Sequence, residues 1–473
     1  MAFEKKELKK KSENFSQWYT DVILKAELAD YAPVRGCMVI RPYGYAIWEA
    51  IQRYMDAKIK EHGVDNAYFP IFIPEKFLNR EKEHVEGFAP HMAVVTIAGG
   101  EELKEKLVVR PTSETIMYEM YKSWVQSWRD LPILINKWNN VVRWEKRTYL
   151  FLRTSEFLWQ EGHCAHASQK ESLDTVGWAM GMYTDTYQNL MALFGISGIK
   201  SKAEKFAGAK QTVTYEMLMP DGKALQGCTS HDLAQNFSKA FDWTVQDKMG
   251  KKLFPWQNSW GFSTRSIGGL IMAHGDDHGL ILPPRVAPIQ VIIIPIPGSS
   301  EETYQYAITQ KKELQKLGVR VKIDSREGET AGFKFNKWEV RGVPVRIEIG
   351  NKEASAQIVT VMRRDTMKKT TLHCSEIPAL LTEIQTSLFA KHKRFTEDNT
   401  RDAKSYEEFK KIMETTRGFI KAFWCENPAC EASIKAETKA STRLLPLNPS
   451  EETGACVYCS KPATHRWYFA QSY

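Results

Sequence analysis

Two arginines, a glutamate and a phenylalanine near the middle of the chain have a spacing that could serve phosphate and base binding. Arg143 and Glu145 stand two residues apart, so on a strand both side chains point to one face. Arg153 and Phe157 stand four apart and share a face of the returning strand. A guanidinium can hold a phosphate or carboxylate through two hydrogen bonds, and a phenyl ring can stack on a base. A hairpin with ordinary surface ion pairs has the same spacing, so this stretch alone leaves both interpretations open.

A second stretch places an arginine just before an apolar run. Gly261-Phe-Ser-Thr-Arg265 is followed by Ser-Ile-Gly-Gly-Leu-Ile-Met-Ala-His274, which predicts a strand end and then an apolar helix. Backbone N–H groups at the start of a helix attract anions, and Arg265 adds a positive charge at that point. We therefore expect Arg265 to bind an anion.

The elements that must position these side chains lie in residues 1–286. Apolar residues at helical spacing predict a helix over Tyr43–Glu61, and Ala67–Ile73 is typical of a strand. Asn139–Trp144 and Ser155–Trp159 predict the strands of a long antiparallel hairpin with a charged loop between them. Helices combined with hairpins indicate an α+β domain built on a mostly antiparallel sheet.

The pattern changes after the proline-rich linker Leu282–Pro288. Ile289–Ile296 predicts a strand buried on both faces, and Ser300 is well placed to cap the helix that follows. Further alternating valines and isoleucines give a strand–helix–strand order, which favours a parallel or mixed sheet. We therefore expect a compact α/β domain over residues 287–394 and a third, cysteine-bearing domain over residues 395–473.

Composition places the chain among ordinary globular proteins. Its 473 residues are 43% hydrophobic and 26% charged, with a formal net charge of +8. The first residues carry lysines but no apolar stretch behind them, and no apolar run approaches the ~20 residues of a membrane span. We expect a cytoplasmic protein with no membrane partner. Its modest positive charge is compatible with a polyanionic partner but does not require one.

Four of the eight cysteines form two pairs near the C-terminus. Cys425 and Cys430 are followed by Cys456 and Cys459. Cysteines are reduced in the cytosol, and two such pairs are typical of a closed, structural Zn²⁺ site with four thiolate ligands. Four unrelated free cysteines are the alternative.

Taken together, the two arginine-bearing stretches resemble motifs 2 and 3 of the class II aminoacyl-tRNA synthetases. Motif 2 of that family is an arginine, any residue, a glutamate and a loop, then an arginine or histidine four residues before a phenylalanine. The matching residues here are Arg143, Glu145, Arg153 and Phe157. Arg265 matches the motif 3 arginine, although Ser263 and Thr264 stand where many members have glycine.

Motif 1 of the class is a long helix followed by a strand that contains a proline. Tyr43–Pro74 resembles it, with Pro70 in the place of the motif proline. All three motifs occur in the order that the class shows. The resemblance implies the class II fold, an antiparallel sheet with flanking helices, and a homodimer, because motif 1 builds the dimer interface of the class.

Within class II, nearly the whole chain resembles the prolyl-tRNA synthetases of the archaeal and eukaryotic-like type. The similar stretches begin at Arg110, Phe157, Gln226 and His274, and they read RPTSET, FLWQEGH, QGCTSH and HGDD. Several ordered motifs are far more specific than one short pattern. The resemblance implies that the protein activates L-proline with ATP and transfers it to tRNA(Pro).

The resemblance also implies roles residue by residue. Arg143 and Arg265 would be the catalytic arginines. Proline would be bound by Thr112, Glu114, Arg143, Trp159, Glu161, His163 and His231. ATP would be bound by Arg143, Glu145, Arg153, Phe157, Gln226, Thr229, Ser263 and Arg265. Mg²⁺ would be bound through the ATP phosphates. The chemistry needs no side-chain nucleophile, so Cys228 has no role in it.

The last two domains resemble the family's anticodon-binding and C-terminal zinc domains. Residues 287–394 carry 18 lysines and arginines against 12 acidic residues, which suits a phosphate backbone. Lys337, Trp338 and Glu339 would contact the anticodon, since unpaired bases are read by stacking and hydrogen bonds. An ordinary α/β surface is the alternative. Only 107 residues separate Phe157 from Arg265, too few for the editing domain that some members insert there, so we expect no editing in cis.

Four alternatives follow from the same residues. Another class II synthetase, for threonine, glycine or histidine, is disfavoured by the signatures around Thr112 and His231. A synthetase-like regulatory protein is disfavoured because such relatives usually lack a motif 2 or motif 3 arginine. A plain nucleic-acid-binding protein would show no ATP-dependent activity. A metal site at His274-Gly-Asp-Asp-His278 is disfavoured because the segment reads as the end of the motif 3 helix.

Overall fold

A computed structural model describes residues 8–78 and 91–473 of the chain. Helices lie on both sides of a large sheet and around a smaller second sheet. Their bounds are Phe15–Lys25, Pro42–Glu61, Glu75–Leu78, Glu114–Trp124, Gln169–Asp185, Asn236–Ala240, Arg265–His274, Glu301–Lys316, Ala331–Val340, Asn351–Ala356, Ile377–Asp398, Tyr406–Glu414 and Pro428–Thr438. Across the described ranges, no helix combines the length and the apolar character needed to cross a membrane.

The large sheet has eleven strands, antiparallel except at its two outermost pairs. In spatial order the strands are Thr400–Asp402, Phe419–Phe423, Arg466–Ala470, Ser441–Pro446, Ile196–Ile199, Gln211–Leu218, Ala224–Ala234, Trp256–Ser263, Glu156–His166, Ile133–Val142 and Asp65–Asn66. The fold expected from the sequence, an antiparallel class II-like sheet with flanking helices, is confirmed.

The predicted hairpin is present and extends further from its loop than its sequence pattern indicates. Its strands are Ile133–Val142 and Glu156–His166, paired antiparallel from Ile133 with Ala165 to Val142 with Glu156. At the loop end the strands are shorter than predicted, so Arg143, Glu145 and Arg153 lie outside both of them and do not share a strand face with their partners. The second half of the return strand is buried on both faces. Its residues therefore lack the alternation that marks a strand covered on one face only.

The main core lies between the large sheet and the helices on one of its faces. Trp18, Tyr183 and Trp260 are among its largest fully buried side chains. Gly162 pairs across the sheet with Trp260, and a Cβ at Gly162 would lie 2.0 Å from the Trp260 ring. Only glycine fits at position 162, because any larger side chain would displace this buried indole.

The second sheet has five strands in mixed orientation. Their spatial order is Val321–Ile323, Val291–Pro295, Val345–Ile349, Val359–Arg363 and Lys369–Leu372, the first three parallel and the last two antiparallel. The mixed α/β arrangement and the Ser300 cap on Glu301–Lys316 are as predicted. Helix Ile377–Asp398 begins after a short 3-10 turn over Cys374–Glu376.

The C-terminal segment extends the large sheet. Strand Ser441–Pro446 pairs with Ile196–Ile199, through Leu445 with Ile199 and Pro446 with Gly198. Residues 400–470 therefore supply four strands to the sheet that also carries the hairpin. The expected division at residue 394 falls inside helix Ile377–Asp398.

Four small sheets complete the described fold. Three of them have two strands each: Ala29–Tyr31 with Met38–Ile40, Val245–Gln246 with Lys252–Leu253, and Gly454–Ala455 with Pro462–Ala463. A three-stranded sheet is formed by Phe72–Pro74, Glu101–Val109 and Ala93–Ala98, where the sequence predicts one strand over Ala67–Ile73.

Candidate active site

Three neighbouring strands bring polar side chains into two rows on one face of the large sheet. Ser259 pairs with His231 on one side and with His163 on the other. Two residues further along, Gly261 pairs with Thr229 and Glu161 in the same way. Side chains two residues apart share a face, so both rows point to the same side.

A cavity of about 170 Å³ lies above these rows. Twelve of the site residues predicted from the sequence line it. They are Thr112, Glu114, Arg143, Phe157, Trp159, Glu161, His163, Gln226, Thr229, His231, Ser263 and Arg265. Glu145 and Arg153 do not line the cavity, and Arg153 is exposed to solvent. The structure thus brings together most of the residues predicted to bind proline and most of those predicted to bind ATP, although they are far apart in sequence.

Glu161 is the centre of a buried hydrogen-bond network at one end of the cavity. Its Oε1 accepts from Ser113 Oγ at 2.5 Å and Asn139 Nδ2 at 2.9 Å, and Lys137 Nζ lies 3.1 Å away. Its Oε2 lies 2.9 Å from His163 Nε2. Burial favours the neutral acid, but Lys137 and His163 outweigh it and hold the pKa of Glu161 below its ordinary value. Glu161 is therefore a carboxylate, and His163 Nε2 carries the proton that it accepts.

Glu114 is the second carboxylate of the cavity and begins helix Glu114–Trp124. Thr112 Oγ1 donates to Glu114 Oε2 at 2.5 Å, so the hydroxyl and the carboxylate face the same space. Arg110 fixes the preceding turn, because its guanidinium donates to the carbonyls of Phe69 and Asn140 at 2.8 Å. A carboxylate and a hydroxyl held in this way suit a protonated amine.

His231 is held as a neutral ring on the next strand. Its Nδ1 lies 2.9 Å from Thr212 Oγ1 and its Nε2 lies 3.0 Å from Thr229 Oγ1. Burial lowers the pKa of His231 to about 3. The Phe206 ring stacks on it, with the ring centroids 4.4 Å apart. His231 therefore forms an uncharged wall of the cavity at neutral pH.

Two arginines supply positive charge to the other end. Arg143 Nε donates to Pro111 O at 3.0 Å, and its guanidinium lies 5.6 Å from the centre of the Phe157 ring. Arg265 begins helix Arg265–His274, and its Nε donates to Leu152 O at 3.1 Å. Burial, and then Arg265, lower the pKa of Arg143 to about 10. Both guanidinium groups stay charged at neutral pH, so the cavity attracts anions at this end.

Several buried polar atoms around the cavity have no hydrogen-bond partner in the described part of the chain. They are Trp159 Nε1, His163 Nδ1 and Ser259 Oγ. A buried polar group without a partner costs free energy, so such groups are rare unless a ligand or water satisfies them. These three atoms mark the cavity as a binding site for a ligand with polar groups.

Nine residues that line the cavity were not predicted as site residues: Glu204, Phe206, Thr212, Gly227, Cys228, Ser259, Trp260, Gly261 and Phe262. Ser259 lies two residues before Gly261 and four before Ser263 on one strand, so strand alternation could have identified it. Glu204 and Phe206 lie in an irregular segment with no periodic pattern, and they reach the cavity only through tertiary contacts.

The four C-terminal cysteines form one cluster. The Sγ of Cys425 lies 3.7 Å from that of Cys430 and 3.6 Å from that of Cys459. All four sulfur atoms lie within 4.8 Å of one another, and no other such group of three or more potential metal ligands occurs in residues 8–78 and 91–473. Thiolates at ~2.3 Å in a tetrahedral zinc site lie about 3.8 Å apart, so the cluster fits that ion.

The remaining candidates have internal partners. At the end of the motif 3 helix, His274 Nε2 lies 3.0 Å from Met191 O, and Asp276 pairs with Arg364 at 2.5 Å. Trp338 is 4% exposed and donates its indole N–H to Asp324 at 2.7 Å, while Glu339 pairs with Arg346. Lys337 is partly exposed on the same helix.

Comparison with known proteins decides the family. A proline–tRNA ligase from Natranaerobius thermophilus is 50% identical over 475 aligned residues, which cover 99% of this chain and 98% of that protein. The chain belongs to the prolyl-tRNA synthetase family. A second synthetase of the family, proline–tRNA ligase 2 from Clostridioides difficile, is 49% identical over 99% of this chain and 98% of its own.

Family models and a solved synthetase agree with this assignment. The class II tRNA synthetase core domain for Gly, His, Pro, Ser and Thr matches residues 95–274, an anticodon-binding domain matches 290–384, and a prolyl-tRNA synthetase C-terminal domain matches 406–473. A prolyl-tRNA synthetase from Cryptosporidium parvum, crystallised with halofuginone and AMPPNP, has a TM-score of 0.94. It is 42% identical and covers 98% of this chain and 99% of its own.

Membership of the prolyl-tRNA synthetase family excludes three of the four alternatives: another class II synthetase, a regulatory protein and a plain nucleic-acid-binding protein. Relatives at about 50% identity over the full length are proline–tRNA ligases, not threonine, glycine or histidine enzymes. They are catalysts and not regulatory or purely nucleic-acid-binding proteins, and class II synthetases use ATP.

Proposed function

We propose that this chain activates L-proline with ATP and then transfers the prolyl group to tRNA(Pro). The observation that carries the proposal is the division of one cavity into two ends. One end holds the carboxylates Glu114 and Glu161 beside the neutral His231, and the other holds the guanidinium groups of Arg143 and Arg265. A zwitterionic amino acid fits across these ends with its amine toward Glu114 and its carboxylate toward Arg143.

The proline end recognises a ring with a protonated nitrogen. Glu114 and the Thr112 hydroxyl face the amine, and Trp159, His163 and His231 enclose the apolar ring. The carboxylate of Glu161 is paired with the buried Lys137. A neutral His231 adds no repulsion against that amine.

The ATP end aligns two anions that repel each other in water. A carboxylate oxygen of proline attacks the α-phosphorus, the bond to the bridging oxygen of the β-phosphate breaks, and pyrophosphate leaves. Arg143 neutralises the carboxylate and the α-phosphate, and Arg265 and Phe157 enclose the adenine. Charge neutralisation and alignment by fixed groups are the main sources of catalysis in such a reaction. Mg²⁺ bound through the ATP phosphates would add positive charge.

Glu145, Arg153, Gln226, Thr229 and Ser263 complete the ATP set of the proposal. Glu145 and Arg153 lie outside the cavity lining in this structure, so they would contact ATP where it extends beyond the cavity. Gln226, Thr229 and Ser263 line the cavity itself. Cys228 is buried, and burial raises the pKa of its thiol, which suits a packing role and not a nucleophile.

The second step and the remaining domains follow from the same proposal. A ribose hydroxyl of the tRNA terminus attacks the prolyl carbonyl carbon, and AMP leaves. Residues 287–394 would hold the anticodon, with Lys337 as the exposed candidate and Trp338 and Glu339 shaping the surface beneath it. Cys425, Cys430, Cys456 and Cys459 would hold one structural Zn²⁺ in the domain over residues 395–473. The enzyme would act in the cytoplasm, where tRNA charging supplies protein synthesis.

A homodimer is part of the proposal. Helix Pro42–Glu61 corresponds to motif 1, and the nearby hairpin Ala29–Ile40 exposes Tyr31, Val34 and Val39, each at least 50% accessible. Apolar side chains clustered on a surface mark protein interfaces. Sedimentation equilibrium should give about 109 kDa, twice the chain mass of 54.3 kDa, and a mass of one chain would contradict the dimer.

Amino-acid-dependent exchange of pyrophosphate into ATP tests the activation step. Each of the twenty amino acids is supplied separately to the purified chain with Mg²⁺, and exchange with proline alone is expected. Exchange with another amino acid would overturn the proline pocket, and no exchange from folded protein would overturn the activity. Attachment of labelled proline to tRNA(Pro) tests the transfer step.

The chain should not remove alanine from mischarged tRNA(Pro), because the 107 residues between Phe157 and Arg265 are too few for an editing domain. Hydrolysis of alanyl-tRNA(Pro) by the purified chain would contradict this prediction.

A further inference from the structure

Two residues that line the cavity come from a segment with no regular secondary structure. Glu204 and Phe206 lie in residues 200–210, between strands Ile196–Ile199 and Gln211–Leu218. Phe206 contributes the ring that stacks on His231, and its backbone N–H donates to Thr212 Oγ1 at 2.9 Å. The shape of the cavity wall therefore depends on how this segment, hereafter the wall segment, is held.

The C-terminal part of the chain holds the wall segment through one face of a helix. Helix Pro428–Thr438 carries Glu431 and Lys435 four residues apart, so both project from the same side. Ser201 Oγ donates to Glu431 Oε1 at 2.9 Å, and Lys435 Nζ lies 2.9 Å from Glu204 Oε1. Glu431 is 3% exposed and also accepts from Thr442 Oγ1, so the first contact is buried and fixed.

A buried charge cluster fixes the start of the same segment. Lys200 Nζ lies 2.7 Å from Glu216 Oε1. Arg443, from the C-terminal strand Ser441–Pro446, donates to Glu216 Oε2 through Nε at 3.1 Å and Nη2 at 2.8 Å. All three side chains are at most 6% exposed. Removing Glu216 would leave two buried cations without their shared carboxylate, so the cluster strongly favours a single geometry.

We propose that helix Pro428–Thr438 and Arg443 position the wall segment, and through it the substrate pocket. This proposal rests on the proposed function, because the pocket is the one assigned to proline. Glu431, Lys435 and Arg443 are positioning residues that act through Ser201, Glu204 and Lys200 without contacting the substrate themselves. Replacing them should raise the KM for proline more than it lowers kcat.

Lys435 is the best residue to replace, because its side chain is 59% exposed and its replacement should not disturb the packing of the core. K435E places a like charge beside Glu204. We expect KM for proline in pyrophosphate exchange to rise about fivefold, the factor that corresponds to about 1 kcal/mol and the upper end for exposed pairs. The kcat should change less than about twofold. In the swapped pair E204K/K435E, the KM for proline should rise by a smaller factor than the product of the factors measured for E204K and K435E alone.

Hydrogen–deuterium exchange of residues 200–210 provides a readout that does not depend on catalysis. It should be faster in K435E than in the unchanged chain. K421E is the matched control, since it breaks an ion pair with Asp402 at 3.5 Å within the C-terminal part. It should leave both the proline KM and the wall-segment exchange unchanged.

Three results would overturn the positioning role: an unchanged proline KM in K435E, additive effects in the swapped pair, or an equal effect of K421E. Absence of proline-dependent exchange in the unchanged chain is a different failure, because it would remove the proposed function itself. Hydrogen exchange of the wall segment would then still show whether the helix holds it.

Discussion

Replacing Lys137 by methionine tests whether this lysine keeps Glu161 ionised inside the pocket. Lys137 Nζ lies 3.1 Å from Glu161 Oε1, and the two side chains are 1% and 2% exposed. Unit charges at this separation attract by about 5 kcal/mol at an effective dielectric constant near 20. Removing one partner of a buried pair costs ~3–5 kcal/mol, because the other charge stays buried. Ser113 and Asn139 still donate to Glu161, so we expect a loss of about 3 kcal/mol.

The loss should depend on pH in a defined direction. Burial raises the pKa of Glu161, but Lys137 and His163 lower it more, so in the unchanged chain it lies below the ordinary value. That contribution to stability is present above about pH 4 and is lost only as the pH falls through the depressed pKa. We expect the pKa of Glu161 to rise above the ordinary value without Lys137, because burial raises it and Lys137 is the strongest opposing influence. The variant should therefore be less destabilised at pH 5 than at pH 8, as thermal unfolding at the two values would show.

A double variant distinguishes loss of charge balance from loss of packing. E161Q removes the stranded carboxylate, so K137M/E161Q should be more stable than K137M by at least about 1 kcal/mol. Lys223→Met is the control, because its ion pair with Asp221 at 3.3 Å is one-third exposed and should contribute little. Additive losses in the double variant, or equal losses at the two pH values, would refute the charge-balance argument.

Three further outcomes are expected. Arg265→Ala should lower kcat/KM of proline-dependent pyrophosphate exchange by about 10²–10³-fold in folded protein; a loss below about tenfold would contradict its proposed role in holding ATP. Cys459→Ser should abolish the zinc that atomic emission detects and lower the melting temperature, whereas Cys37→Ser should do neither. Burial lowers the pKa of His231 to about 3, so the folded protein resists its protonation, and stability should fall as the pH falls below about 6.5. The fall between pH 7 and pH 5 should be smaller in His231→Gln, and equal slopes would exclude His231 as its source.

The sequence predicts the chemistry of the site better than the extent of its elements. The helix start at Arg265 follows from its neighbours, because that pattern is local. The prediction that Arg143 and Glu145 share a strand face was wrong, because strand Ile133–Val142 ends before both residues and only Arg143 lines the cavity. The hairpin return strand is longer than expected because both its faces are covered, which removes the period-two signal beyond Trp159. Local patterns report exposure to water, and they lose information wherever an element is buried on both sides.

Residues that support the site from a distance were not predictable in the same way. Lys137 lies two residues before Asn139, where the predicted strand begins, and nothing in its neighbourhood marks it as buried. Its pairing with Glu161 depends on the antiparallel register of the hairpin, which sets the two residues opposite each other. A lysine in a strand is usually a solvent-facing residue, so only the register and the covered face identify it as part of the site.

The C-terminal strands show why an expected domain boundary can mislead about function. Sequence texture separates residues 395–473 from the rest, yet two residue pairs, Leu445 with Ile199 and Pro446 with Gly198, join strand Ser441–Pro446 to strand Ile196–Ile199 of the same sheet. Two pairs leave no trace in a sequence pattern, but they fix the end of strand Ile196–Ile199 next to Lys200. Because the wall segment starts at the end of that strand, the C-terminal part is in direct contact with the pocket wall. Its loss should therefore affect substrate affinity as well as folding.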